Sequence, residues 1–187
     1  MFYNAVIQSM IKHVITGGPC AGKTSVINEL RKRNLEVIEE FARRVIAERK
    51  HLPATAEEFA ARERMIFYRQ LFEEDALDRK NLSRCDLFLD RGLLDTIAYS
   101  IHYLGKSFDD FNSHVHGRYA SVFILERLPF VDDGLRIESG EEEAQKLHDR
   151  LMECYVSHGY TPIIVPVMPV KERVEFILKN IKKINGG

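Results

Sequence analysis

The chain has 187 residues, 45% hydrophobic and 29% charged, which suits one globular domain with a sizeable core. Basic and acidic residues nearly cancel, 27 against 28, so composition gives no argument for a nucleic-acid or acidic-membrane partner. Cys20, Cys85 and Cys154 are far apart and odd in number, which argues against a disulfide framework or a zinc site and fits a reducing, cytoplasmic setting.

Residues 1–11 are mildly apolar but lack the basic start and small-residue cleavage site of a signal peptide, and we treat them as an N-terminal extension. No apolar run approaches the length that spans a bilayer. Residues 12–187 are expected to form a single domain. Lys12–Thr16 reads as a buried first strand. It runs into GGPCAGKTS, where Gly17, Gly22, Lys23 and Thr24 fit the phosphate-loop spacing GxxxxGK[ST] at every fixed position. Ser25–Arg33 follows as a helix, with Val26, Ile27 and Leu30 at helical spacing, and Leu35–Glu39 as a second strand. Phe41–Lys50 reads as helical.

Pro53 interrupts the pattern. Thr55, with Glu58 three residues on, resembles a capping box for a long amphipathic helix over Glu57–Leu82. Its charged side is expected to be a solvated face. Asp86–Asp90 is a candidate central strand, and Leu93–Leu104 a helix stopped by Gly105. Ser107–Gly117 suggests a short helix, and Ser121–Leu125 a fourth strand. Glu126–Gly140, rich in charge, Pro and Gly, reads as a loop. Glu141–Ser157 is a helix, Ile163–Val165 a fifth strand and Val170–Ile184 the closing helix. Alternating strands and helices imply an α/β fold of three layers, with a parallel sheet covered on both faces.

Ligands on such sheets bind at the carboxyl ends of the strands. Residues after each strand should therefore converge on the loop. There, Gly17, Gly18, Pro19, Cys20, Ala21, Gly22, Lys23, Thr24 and Ser25 would cradle phosphates, with Lys23 reaching the β- and γ-phosphates and Thr24 offering its hydroxyl to Mg²⁺. Asp90 sits where a carboxylate orients magnesium, and Arg91 where a guanidinium meets phosphate or acceptor. Asp95, four residues on, reads as an ion-pair partner of Arg91. Glu40 after the second strand can accept a proton from an acceptor hydroxyl, and Arg43 can help fix that acceptor. Glu39 is the weaker candidate. Arg127 and Arg136 lie in the segment 126–140, which reads as a lid closing over a triphosphate. Tyr68, Phe67, Tyr99 and Tyr103 are available to stack an acceptor ring, without a basis for choosing among them. His148 and His158 read as helix-surface residues, and no Ser-His-Asp arrangement suggests itself.

GGPCAGKTS, VIEEFARRVI, LFLDRGLLDTIAY, DDGLRIE and KLHDRLMECYVSHGY together resemble the AAA_28 family of small P-loop proteins, which is similar to the ribosylnicotinamide-kinase domain of NadR proteins. The resemblance covers roughly Lys12 to Leu178. It implies a five-stranded parallel sheet of order 2-3-1-4-5, nucleoside/nucleotide-kinase-like. It matches Gly17, Gly22, Lys23 and Thr24 to the nucleotide loop, Glu40 and Arg43 to the motif after the second strand, Asp90 and Arg91 to a DRG motif, and Arg136 to a lid arginine. The implied cofactors are ATP, or GTP, and Mg²⁺. The implied activity is transfer of the γ-phosphoryl group to a small hydroxyl acceptor such as a nucleoside. The family also includes a GTP-binding regulator, so a regulatory nucleotide-binding protein is the alternative. No N-K-x-D guanine-reading sequence follows the fourth strand. A motor-type ATPase ranks last, because no arginine-finger region can be identified. Oligomeric state cannot be read from the sequence.

Overall fold

The computed structural model describes residues 10–42, 44–45, 53–79, 85–131 and 140–185. Its elements in chain order are β1 (Ile11–Thr16), α1 (Lys23–Lys32), β2 (Glu36–Ile38), α2 (Ala56–Arg79), β3 (Asp86–Asp90), α3 (Leu93–Leu104), β4 (Ser121–Leu125), α4 (Glu141–Ser157), β5 (Ile163–Val165) and α5 (Val170–Asn185). Residues 41, 42, 44 and 45 are also helical. The five strands form one sheet in the order β2-β3-β1-β4-β5, with every neighbouring pair parallel. The sequence-based boundaries of β3, α3, β4, α4 and β5 coincide with the observed ones. The bounds of β1, β2, α1, α2 and α5 shift by one to three residues. Helix α1 starts at Lys23 rather than Ser25, because Gly22, with φ +79°, turns the chain straight into the first helical turn. The Ser107–Gly117 helix contracts to one 3₁₀ turn at Asn112–His114.

Side chains alternate across the strands, and each set finds its own helix layer. Val14, Leu87, Leu89, Val122 and Ile124 pack with residues of α2, α3 and α4, among them Phe67, Ile97, Leu151 and Tyr155. Ile15, Phe88, Phe123, Leu125 and Val165 pack with Val26, Ile27 and Leu30 of α1 and with Val174, Ile177 and Ile181 of α5. Full burial of one such side chain contributes roughly 1.5–3 kcal/mol. These two layers fix the helix axes, and so the directions of the loops at the strand ends.

Helix α2 begins as its sequence suggests. Thr55 Oγ1 accepts the Glu58 N–H at 3.2 Å, and Glu58 Oε2 accepts from the N–H of Ala54 at 2.8 Å. Its charged side corrects the sequence-based expectation of a solvated face, because Arg62, Glu63, Gln70 and Glu74 are all buried. Glu74, with no exposed surface, accepts hydrogen bonds from Gln70, Arg118 and Tyr119 at 2.9, 2.7 and 3.2 Å, and lies 3.8 Å from Lys12 Nζ. Gln70 is one turn away on the same helix, and the other partners come from β1 and from the segment before β4. Only the tertiary fold brings them to the helix, and a buried carboxylate requires such pairing.

The strand starts hold a second buried polar chain. His13 of β1, fully buried, contacts Ser121 Oγ of β4 through Nδ1 at 2.7 Å and Asp86 Oδ1 of β3 through Nε2 at 2.9 Å. This is a Ser-His-Asp arrangement that the sequence did not suggest, because its members come from three strands. Burial lowers the His13 pKa against the opposing pull of Asp86, so the ring is neutral near pH 7. A neutral ring beside a carboxylate donates from Nε2 and accepts the Ser121 hydroxyl at Nδ1.

Candidate active site

The loop after β1 needs a glycine at its first turn. Gly17 has φ +141°, and a Cβ there would lie 2.7 Å from the Leu125 carbonyl oxygen. Turning N–H groups inward to make an anion nest turns carbonyls outward, and each buried carbonyl needs a donor. Lys23 Nζ donates to Gly17 O at 2.8 Å and to Gly18 O at 3.0 Å. Arg127 Nε donates to Pro19 O at 3.1 Å, and the Leu128 N–H to Cys20 O at 3.0 Å. Arg173 Nη1 donates to Ala21 O at 2.6 Å, and the N–H groups of Ser25 and Val26 to Gly22 O at 3.1 and 3.2 Å. Cys20, itself at φ +60°, accepts the Val131 N–H on its sulfur at 3.2 Å. Its thiol thus helps dock the start of the 126–140 segment on the loop. Thr24 and Ser25 are exposed at the first turn of α1.

Glu40, Arg91 and Asp95, from the ends of β2 and β3, meet in one cluster. Lys23 is buried, and burial first, then the cation of Arg91, lowers its pKa to about 8 against the pull of Glu40, Asp90 and Asp95. These four charges all bear electrostatically on Lys23. Glu40 Oε1 lies 2.6 Å from Arg91 Nε, an ion pair whose approach is off the hydrogen-bonding line. Arg91 Nη1 donates to Tyr99 Oη at 3.2 Å and lies 3.5 Å from Asp95 Oδ1, as the i, i+4 spacing suggested. Burial lowers the Arg91 pKa, but Glu40, Tyr99, Asp95 and Asp90 outweigh it and keep the guanidinium firmly charged. Asp95 does more than pair with Arg91. It accepts the Thr16 hydroxyl at 2.5 Å, the Tyr155 hydroxyl at 2.6 Å and the Gly92 N–H at 3.0 Å, fastening the end of β1 to the start of α3 and to α4.

Other candidates fall elsewhere. Glu39 pairs with Arg31 at the surface, and Arg44 with Glu73. Arg43, Arg136 and residues 132–139 of the lid segment lie outside the described residues. His148 is not a mere helix-surface residue. Its Nδ1 accepts the Gly18 N–H at 3.1 Å, so α4 touches the phosphate loop directly. Burial lowers its pKa, which suits an accepting, neutral ring. Sequence reasoning also missed Arg62 and Glu63. Arg62 donates from Nε and Nη2 to Glu63 Oε1 at 3.1 and 3.0 Å and stacks over Phe59, 4.5 Å from the ring centre. Phe59 meets Tyr103, which meets Tyr99, and Arg91 lies over Tyr99 at 5.1 Å. Of the four available aromatics, Tyr99 and Tyr103 thus belong to the wall beside Arg91. Phe67 stacks on Phe111 in the core, and the Tyr68 hydroxyl bonds to Asp110.

Among the described residues no group of three or more His, Cys, Asp or Glu could hold a metal alone. Magnesium keeps waters and phosphate oxygens as ligands and takes one or two oxygens from the protein. The exposed Thr24 hydroxyl and the Asp90 carboxylate, at the head of α1 and the end of β3, are a donor set of that kind.

A parallel 2-3-1-4-5 sheet with a GxxxxGKT loop after its first strand defines a P-loop protein of the nucleoside/nucleotide-kinase-like fold. The chain belongs to the AAA_28 family, described as an AAA domain, whose model matches residues 12–173. A comparison with curated proteins gives no match. Among solved structures, a NadR protein in complex with NR superposes with a TM-score of 0.69 at 18% identity, over 97% of this chain and 53% of that one, so this chain spans about half of NadR. A deoxyadenosine kinase from M. mycoides with bound dATP gives 0.59 at 19% identity, over 92% of this chain and 99% of the other. Shikimate kinase from Acinetobacter baumannii in complex with shikimate gives 0.59 at 15%, over 95% and 96%.

Proposed function

We propose that this protein is a kinase that transfers the γ-phosphoryl group of ATP to the hydroxyl of a small acceptor such as a nucleoside. The observation that supports this most is the cluster of Glu40, Arg91 and Asp95 at the ends of β2 and β3, beside a wall of Tyr99, Tyr103 and Phe59. A bare nucleotide switch needs the loop and a magnesium ligand. It does not need a buried acid–arginine pair next to an aromatic wall.

In this reading Lys23 leaves the carbonyls of Gly17 and Gly18 for the β- and γ-phosphates. Glu40 takes the proton of the acceptor hydroxyl as the new P–O bond forms and ADP departs. Arg91 stays charged throughout and steadies the transferred group. Bound Mg²⁺, held by Thr24 and Asp90, would supply charge neutralisation. Arg43 and Arg136 add cations on the acceptor and lid sides on the strength of their sequence positions. No helix among the described residues is long and apolar enough to cross a membrane. A cytoplasmic setting, read from three scattered cysteines that form no disulfide framework, is part of this proposal.

The test is transfer of label from γ-labelled ATP to a panel of nucleosides and small hydroxylated metabolites. Labelled product supports the kinase. Tight nucleotide binding with strong GTP preference and no labelled acceptor favours the regulatory alternative.

A further inference from the structure

The phosphate loop is held from outside its own motif. Lys23 takes the first two carbonyls of its outer rim, and the helix start takes that of Gly22. The middle carbonyls are met by residues far along the chain. Arg127 and Leu128 take those of Pro19 and Cys20. The carbonyl of Ala21 is taken by Arg173, more than 150 positions later.

Arg173 does more than satisfy one carbonyl. Nη1 donates to Ala21 O at 2.6 Å, Nη2 to Glu126 O at 3.1 Å and Nε to Pro166 O at 3.0 Å. Those acceptors belong to the three loops that follow β1, β4 and β5. The residue is 3% exposed. Its helix, α5, is seated on the sheet by Val174 and Ile177, one turn apart on the same face and both fully buried. The guanidinium fits this task because its donors form a rigid planar fork. A lysine ammonium is a compact point on a flexible stem and cannot span three carbonyls in fixed directions.

We propose that Arg173 is a positioning residue that sets the phosphate nest before nucleotide arrives, by pinning the outer rim of the loop to the ends of β4 and β5. Holding the carbonyl of Ala21 outward holds the following N–H groups inward. A nest ordered in advance does not spend binding energy on its own ordering. The nucleotide part of this inference rests on the P-loop reading above.

The experiment uses the full chain with Arg173→Ala and Arg173→Lys, measuring Mg·ATP affinity by calorimetry and amide hydrogen exchange across the chain. Expected for Arg173→Ala is a Kd for ATP at least tenfold higher. Exchange should accelerate across residues 18–25 and stay unchanged in β1, β3 and β4. Methylguanidinium at millimolar concentration should restore affinity to Arg173→Ala and leave the wild type unchanged. Arg173→Lys, able to meet one carbonyl at a time, should fall between the two. The inference is overturned if both variants bind ATP within twofold of wild type, or if exchange rises evenly over the whole sheet, which would mean general destabilisation. If Arg173→Ala does not fold, Arg173→Lys decides: an unchanged Kd and unchanged loop exchange overturn the proposal. If the wild type itself binds no ATP, the P-loop reading fails. Loop exchange in the variants still tests the clamp independently.

Discussion

The carboxylate of Glu40 lies 2.6 Å from Nε of Arg91, joining the ends of β2 and β3 beside Lys23. Both side chains are largely buried, at 10% and 16% exposure, so each charge depends on the other. Glu40→Gln keeps the shape and removes the base. We expect kcat to fall by about 10²–10⁴, with Mg·ATP affinity within a few-fold of wild type. Steady-state kinetics with the acceptor found by label transfer measures this. An unchanged kcat would remove Glu40 from the chemistry and leave it a structural partner of Arg91.

Lys23 gives a pH signature to nucleotide binding. Burial and the Arg91 cation bring its pKa to about 8 in the free protein. Phosphates arriving beside it favour the ammonium and raise that value. Above pH 8, binding should therefore take up close to one proton, and affinity should fall by up to about tenfold per pH unit. Calorimetry in buffers of different ionisation enthalpy reads the uptake directly. Lys23→Ala should lose most nucleotide binding and all of this linkage. ATP affinity independent of pH from 7 to 10 would contradict the assignment.

Glu63 carries the opposite linkage. Burial raises its pKa from 4.5 to about 7, against the pull of Arg62 and Arg91. The folded protein therefore binds more protons here than the unfolded chain between those two values. This contribution to stability is whole below pH 4.5, declines as pH rises and is gone above 7. Its size is at most about 3 kcal/mol, from 1.36 kcal/mol per pKa unit. Glu63→Gln should flatten the fall in Tm between pH 4.5 and 7 relative to wild type. Identical Tm profiles for the two proteins would refute it.

Gly92 should tolerate no side chain. Its φ of −110° is ordinary, so space alone decides. A Cβ there would lie 2.6 Å from Tyr155 Oη and 3.0 Å from both Tyr119 Cε2 and Val14 Cγ2. Tyr155 is held by Asp95 and Tyr119 by Glu74, so neither ring can swing aside freely. We expect Gly92→Ala to destabilise by about 1–3 kcal/mol, the range for overpacking a core. Denaturant unfolding measures it, and a loss under about 0.5 kcal/mol would mean the rings move cheaply.

What could be read from the sequence was local. The phosphate loop, the strands and helices β3 to β5, and the strand-end positions of Glu40, Asp90 and Arg91 follow from spacing and periodicity over a dozen residues. The remainder of the site is built by long-range contact. Arg173 binds carbonyls, which every residue carries, so its partners leave no mark in the sequence. A cation in the first turn of a helix runs against the helix dipole and is a faint flag, but Lys171 in the same turn shares it. Arg62 and Glu63 read as surface charges because their burial comes from the packing of α2 against the rest of the fold, which no spacing within the helix records. His148 contacts a backbone N–H of a glycine, for which no spacing rule exists.

The buried imidazole of His13 bears on how the sheet assembles. A neutral ring has one donor and one acceptor, and here each has a different strand to meet, Asp86 of β3 and Ser121 of β4. Sliding β4 by one residue would bring Ala120 or Val122 opposite His13 and leave a ring nitrogen inside the protein with nothing to bond. The strand starts thus carry an alignment key that misthreaded sheets cannot satisfy. It stands at the end of the strands remote from the phosphate loop, so the nucleotide end is free of the task of proofreading the sheet.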